Sequence, residues 1–215
     1  MTTSTESLMP SERDRILHAF SELCAAQGYE LTTVEQVIER AGVSPERFEE
    51  LVGDGKESCA LAAENALIAE VVAAVSMSYD PDRSELDSAV LGVKAILELM
   101  AANPSHAYFG YIGCRHSPPR SIRDAREAAI KVLAAMIEQL TRFAGTQQRP
   151  ASVGLAVLGS AEAVIRRELA AGRADQLPGF LPDFVYTATV PFLGQEEALR
   201  LTRRARKLLR ESAWG

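Results

Sequence analysis

The sequence predicts an all-α fold. Three short helices come first and a larger helical bundle follows, about nine or ten helices in total. Three observations carry this. Apolar residues recur at helical spacing along nearly the whole chain. The breaks between such stretches hold Gly, Pro, Asn or Ser at positions that suit caps and turns. No alternating run bounded by hairpin-turn residues suggests a strand.

The elements follow in order. Ile16, Phe20, Leu23 and Gln27, with Leu17 and Cys24 beside them, form one amphipathic face that ends at Gly28. Thr32 or Thr33 caps a second, short helix with the stripe Val34, Val37, Ile38 and Ala41. Gly42 makes the next turn. Ser44-Pro45 then starts a third helix, with a hydroxyl cap and a proline where no N–H is needed. Phe48, Leu51 and Val52 give that helix a buried face. After Gly53-Asp54-Gly55, Lys56 or Glu57 opens a long helix that ends before Asp80-Pro81. Further helices are expected at 84–102, 105–115, 119–144, 151–172, 178–193 and 195–212. Their breaks fall at Asn103-Pro104, Ser117-Pro118-Pro119, Gly145 to Pro150, Gly172 and Gly194.

Composition narrows the function classes. The chain has 215 residues, enough for one or two units sharing a core, and 47% of them are apolar. No apolar run approaches the ~20 residues needed to cross a bilayer, and the N-terminus does not read as a secretory signal. The expectation is a cytoplasmic protein with no membrane partner. Residues 1–10 read as a disordered arm. Net charge is −6 overall, yet residues 1–57 alone hold five basic and twelve acidic side chains. That acidity opposes the usual electrostatics of a nucleic-acid-binding unit.

The three cysteines, Cys24, Cys59 and Cys114, are far apart and suggest neither disulfide nor zinc site. Cys114 and His116 form a weak pair of ligands without a second pair nearby. No metal and no cofactor are expected. Nucleophile elbow, P-loop and dinucleotide fingerprint are all missing. His18, His106 and His116 form no recognisable triad pattern. An enzyme is not expected.

The stretch from Arg15 to Cys59 resembles the N-terminal domain of the tetracycline-repressor (TetR) family. The matching residues include Ile16, Leu17, Ala19, Leu23, Gly28, Tyr29, Thr33, Val34, Val37, Ala41-Gly42-Val43-Ser44, Phe48 and Lys56-Glu57. The similarity covers about residues 11–71, with a helix-turn-helix near 34–53; residues 72–215 resemble the family's ligand-binding and dimerisation domain more loosely. The resemblance implies a homodimeric, ligand-responsive regulator, a repressor on a pseudo-palindromic DNA operator. It implies DNA contacts from Thr33, Ser44, Glu46, Arg47, Phe48, Glu49 and Lys56. Arg47 is the expected base or phosphate contact, and Glu46 or Glu49 a reader of cytosine N4. Glu49 stands where the family commonly has a phosphate-touching tyrosine. The alternative is a TetR-like helical sensor or scaffold with lost or weakened DNA binding.

In the second half, aromatic and polar residues crowd between Asn103 and Ser121. Met77, Met100, His106, Tyr108, Phe109, Tyr111, Met136 and Glu162 are the candidate lining of a pocket for a small, mostly apolar effector. Small residues near 151–172 permit close helix approach. Gly154, Leu158, Ala161 and Ile165, with Phe184, Thr187 and Val190, are the candidate dimer interface. Arg200, Arg203, Arg204, Arg206, Lys207 and Arg210 form the one basic cluster. They read as a solvated outer face with Leu201, Leu208 and Leu209 packed inward; their distance from the helix-turn-helix argues against operator reading.

Overall fold

The structure, a computed structural model, describes residues 10–113, 119–139 and 152–212. Among these it is all helical. The helices are α1 (Glu12–Gln27), α2 (Val34–Ala41), α3 (Pro45–Val52), α4 (Gly55–Met77), α5 (Glu85–Ala102), α6 (Pro104–Tyr108), α7 (Arg120–Gln139), α8 (Val153–Ala170), α9 (Leu181–Leu193) and α10 (Gln195–Ser212).

Local chemistry sets the early boundaries. Ser11 and Thr33 each form a reciprocal capping box, with Asp14 and Gln36 respectively. Gly42 ends α2 in the left-handed region at φ 65° and ψ 46°, and receives the chain for the tight turn. The Arg47 backbone N–H donates to Ser44 Oγ at 3.2 Å, and Pro45 occupies the first turn of α3.

Three boundaries differ from the sequence expectation. α4 opens at Gly55, one residue before Lys56, after an Asp54 cap whose side chain makes no cap bond. The helix expected over 105–115 starts at Pro104 and widens into a π turn, Phe109–Gly113. Tight 3-10 winding over Ala174–Phe180 precedes α9, and Pro182 then starts that helix in its first turn. Residues 140–144 of the expected seventh helix, the 1–9 arm, Cys114 and His116 lie outside the described residues.

Two apolar cores organise these elements. The first gathers Ile16, Leu17, Phe20, Cys24, Val37, Phe48, Val52, Cys59, Ala60 and Ala63 from α1–α4. It also takes in Phe109 from the π turn and Ile122 from α7. Phe20 and Phe109 meet edge to face with centroids 5.1 Å apart. The second core joins α5, α6, α8, α9 and α10 through Val90, Leu97, Met100, Ile165, Leu177, Leu181, Val185 and Leu201. Burial of the Cys59 thiol pushes its pKa up to about 12, so it stays a protonated core residue.

α4 corrects one expectation. By length and hydropathy it alone among the described helices reaches the range of a membrane-crossing segment. Glu64 and Glu70 interrupt its apolar run. Its Cys59, Ala60, Ala63, Leu67 and Val71 are buried within the fold, and buried Glu64 forms an ion pair across to α7.

Candidate nucleic-acid interface and effector region

α2, the Gly42 turn and α3 form a helix-turn-helix whose inner face is Val37, Ala41, Phe48 and Val52. Phe48 is only 1% exposed. It is a core residue, and this removes it from the expected DNA contacts. The spacing of Phe48 with Leu51 and Val52 pointed to this buried face, and only the family resemblance implied a DNA contact. Thr33 and Ser44 spend their hydroxyls as caps. The outward face of α3 presents Pro45, Glu46, Glu49 and Glu50, all exposed.

Arg47 does not project freely from that face. Its Nε donates to Glu12 Oε2 at 2.6 Å, and its Nη1 donates to Glu50 Oε2 at 2.6 Å. Glu50 first and Glu12 second raise its pKa further above the ordinary guanidinium value. The guanidinium therefore ties α3 to α1. Glu46 turns back on its own helix. Hydrogen bonds from its own backbone N–H and then from Ser44 hold its carboxyl below the usual range. A carboxylate thus sits at the amino end of α3, where helix amides would otherwise be open to a phosphate.

Lys56 is also engaged. Its Nζ donates to the carbonyls of Tyr29 at 3.0 Å and Glu30 at 3.2 Å, and lies 4.5 Å from the Tyr29 ring centroid. Two of its three donors thus fasten the α1–α2 connection to α4. Arg15 Nε donates to the Ala41 carbonyl at 3.1 Å, and Arg40 Nε to Glu22 at 2.8 Å. Of the five basic residues in this region, Arg13 alone makes no ion pair or hydrogen bond among the described residues, and it is exposed on α1. The partner that the sequence reading missed is Glu12. It stands 35 residues from Arg47, and no local pattern signals such a contact.

In the second half the polar residues converge on the α4–α7 contact. Arg126 grips Glu64 as a fork, Nε to Oε1 at 2.9 Å and Nη2 to Oε2 at 2.8 Å. Glu64 is 4% exposed. Burial, and then the Glu162 and Glu64 carboxylates, push the Tyr111 phenol upward. His106 Nε2 lies 2.9 Å from the Ala63 carbonyl, and its Nδ1 is 3.6 Å from Glu70 Oε2. Tyr111 and Glu162 therefore belong to one polar neighbourhood with Glu64 and Arg126, while His106 faces Ala63 and Glu70.

The other candidate pocket residues separate. Met100 and Phe109 are fully packed, in the second and first core respectively. Tyr108 packs against the second core. A Cβ on Gly110 would collide with the Leu67 side chain, so the π turn and α4 are in close contact. Met77 is 86% exposed. It borders an open depression of about 510 Å³ between the end of α4 and α5, shared with Tyr79, Arg83, Leu91 and Lys94. The side chain of Met136 lies outside the described residues.

The candidate dimer residues of α8 differ in exposure. Gly154 and Ile165 are buried within the chain, and Leu158 and Ala161 are half-buried. The outward face is instead Leu155, Ala156, Gly159, Ser160 and Ala163. Leu155 is 50% exposed, and a Cβ on Gly159 would meet open space. On α9, Thr187 is exposed, while Phe184 and Val190 are half-buried.

No protein-family model matches the sequence, and no curated protein matches it. Solved structures do. The fatty acid degradation regulator FadR from Bacillus halodurans matches with a TM-score of 0.69 at 15% identity, covering 85% of this chain and 99% of that one. TylP, a TetR regulator from Streptomyces fradiae, matches with a TM-score of 0.69 at 14% identity, covering 93% and 96%. FadR from Bacillus subtilis, solved in complex with stearoyl-CoA, matches with a TM-score of 0.65 at 12% identity, covering 85% and 98%. The chain has the TetR-like, all-α fold of these transcriptional regulators.

Proposed function

We propose that the protein is a cytoplasmic, homodimeric, ligand-responsive transcription regulator that binds a pseudo-palindromic operator weakly, as a repressor. The observation that carries this reading is the seating of Phe109 and Ile122 in the core of the helix-turn-helix half. Side chains of the effector half are part of the packing that sets the attitude of α1–α3. An effector that shifts the π turn or α7 therefore changes the free energy of the DNA-competent arrangement, and the coupling acts equally in reverse. The organisation is a helix-turn-helix unit over 11–71 and an effector and dimer unit over 72–215. The two units share that core.

Operator binding requires Arg47 to exchange Glu12 and Glu50 for a phosphate or a base edge. Exposed pairs of this kind are weak and exchange with solvent, so the exchange is accessible. Glu46, Glu49 and Glu50 still oppose the polyanion. Replacing Glu12 and Glu50 together by glutamine should raise affinity for a selected operator about tenfold. The log–log salt slope should stay close to the wild-type value, because Arg47 makes the same phosphate contact in both complexes. Fluorescence anisotropy at several KCl concentrations reads both quantities. An unchanged affinity would mean that Arg47 stays out of the interface.

The effector is a small, mostly apolar molecule, with Tyr111, beside the Glu64–Arg126 pair, as the contact for a polar group. Stearoyl-CoA, which one structural neighbour holds, is the first compound to test by thermal shift. A long-chain acyl ligand should raise the melting temperature and weaken operator binding together. A shift in one without the other argues against coupling.

For the dimer, the outward seam of α8 with Thr187 of α9 is the surface that self-association would cover. Gly159→Arg puts a long cation into this seam without touching the chain's own core. It should produce a folded monomer by sedimentation at micromolar concentration. A variant that remains dimeric moves the interface elsewhere.

A second reading is favoured by the engagement of Arg47 and Lys56: a helical sensor of the same fold that no longer holds DNA. Operator selection from a randomised duplex pool separates the two. Enrichment of a two-fold symmetric site supports the regulator, and no enrichment supports the sensor.

A further inference from the structure

We propose that the outer face of α10 is a second, sequence-independent binding site for the phosphate backbone of duplex DNA. The helix lies against α9 and α5 through Ala198, Leu201, Thr202 and Ala205, all at most 5% exposed. The opposite face carries Arg203, Arg206, Lys207 and Arg210, all exposed, with half-buried Arg204 beside them. Arg200 is paired with Glu197, and Lys207 lies 3.7 Å from Glu211. Arg203, Arg204, Arg206 and Arg210 make no ion pair among the described residues. The helix-turn-helix half is the reverse case: there Arg47 and Arg40 are ion-paired, Arg15 and Lys56 are tied to backbone carbonyls, and the outer face of α3 is acidic.

Chemistry and spacing select the occupant. Arg203, Arg206 and Arg210 recur at three and four residues, so they share one face over about 10 Å of helix. Duplex DNA presents roughly six phosphate charges over that length. The cluster is arginine-rich, and the planar guanidinium suits bidentate contact with phosphate oxygens. An anionic bilayer fits less well, because the apolar face of α10 is already buried in the protein and nothing is left to insert. The acidic α3 face of a second copy is another anionic surface. It offers scattered carboxylates rather than a regular phosphate row.

The test uses the full-length protein and a fluorescein-labelled 20-base-pair duplex of random sequence, followed by anisotropy from 50 to 200 mM KCl. Wild type should bind, and affinity should fall about 40-fold across that range if three phosphates are engaged. The triple variant Arg203→Gln, Arg206→Gln, Arg210→Gln should lose at least tenfold at 50 mM KCl. Glutamine keeps helix propensity close to that of arginine, and an unchanged melting temperature and sedimentation coefficient would confirm the fold. The control variant Lys131→Gln, at an exposed residue of α7, should bind the random duplex as wild type does. The proposal is overturned by equal binding of wild type and triple variant, by an equal loss in the control variant, or by no binding at 50 mM KCl. Binding to phosphatidylglycerol vesicles in place of DNA, or salt-sensitive self-association abolished by the triple variant without DNA binding, also overturns it. The site does not depend on an operator: random-duplex binding survives if operator selection fails, and operator selection survives in the triple variant if α10 is inert.

Discussion

Replacing Phe109 by alanine should destabilise the protein by about 3–5 kcal/mol, the usual cost of truncating a buried phenylalanine. For a chain of this size that corresponds to a fall in melting temperature of roughly 6–20 °C. The ring is 0% exposed, packs edge to face on Phe20 and lies in the core that also holds Phe48. The cavity would open between the π turn and α1, so the loss falls on the contact that joins the two halves. Phe109→Leu, which retains most of the volume, should cost less than half as much. The consequence for function is separable from stability. Below its melting temperature, Phe109→Ala should still take up effector, yet its DNA binding should respond less to that effector. A melting temperature within 2 °C of wild type would show that the ring is not part of a shared core.

The second large effect concerns the Glu64–Arg126 fork. Arg126→Ala leaves the Glu64 carboxylate buried without its guanidinium partner. Breaking such a pair from one side costs about 3–5 kcal/mol. Replacing both residues with apolar ones of similar length, Glu64→Leu with Arg126→Met, should cost much less or even stabilise, because no orphaned charge remains. Denaturant unfolding of the two single variants and the double variant gives the coupling directly. If the single variants are near wild type, the pair is too hydrated to matter and α4 is not anchored to α7 by it.

The sequence was most informative where structure is decided within a few residues. Ser44-Pro45, the Thr33 cap and the glycines after α1, α2 and α3 each satisfy or terminate a helix end locally, and the helix-turn-helix follows from them. The exposed carboxylates of α3 could be read in the same way. What the sequence concealed is long-range pairing. Glu12 reaches Arg47 across 35 residues and Glu64 reaches Arg126 across 62, and no spacing rule connects either pair. The outward face of α8 was hidden for a different reason. Apolar and small residues occur all round that helix, so periodicity selects no single face; of the expected seam, Gly154 and Ile165 are buried within the chain while Leu158 and Ala161 are half-buried. Phe48 carries two readings in the sequence, a buried face from its spacing and a DNA contact from the family resemblance, and the structure seats it in the core.

The pairing of Arg47 gives the acidic recognition helix a physical meaning. On the proposed function, the cation that would meet an operator is paired with two carboxylates, and a third carboxylate lies at the amino end of the helix. The central claim is that this surface still binds an operator. Its most direct test is selection from a randomised duplex pool at 20 mM KCl, followed by a salt titration of the winning sequence with the dimeric wild-type protein. The account predicts a two-fold symmetric site and a linear log–log salt dependence with a slope of several units, reduced by about 0.9 in Arg47→Ala. No enriched sequence at that low salt, from a protein shown to be folded and dimeric, would contradict it.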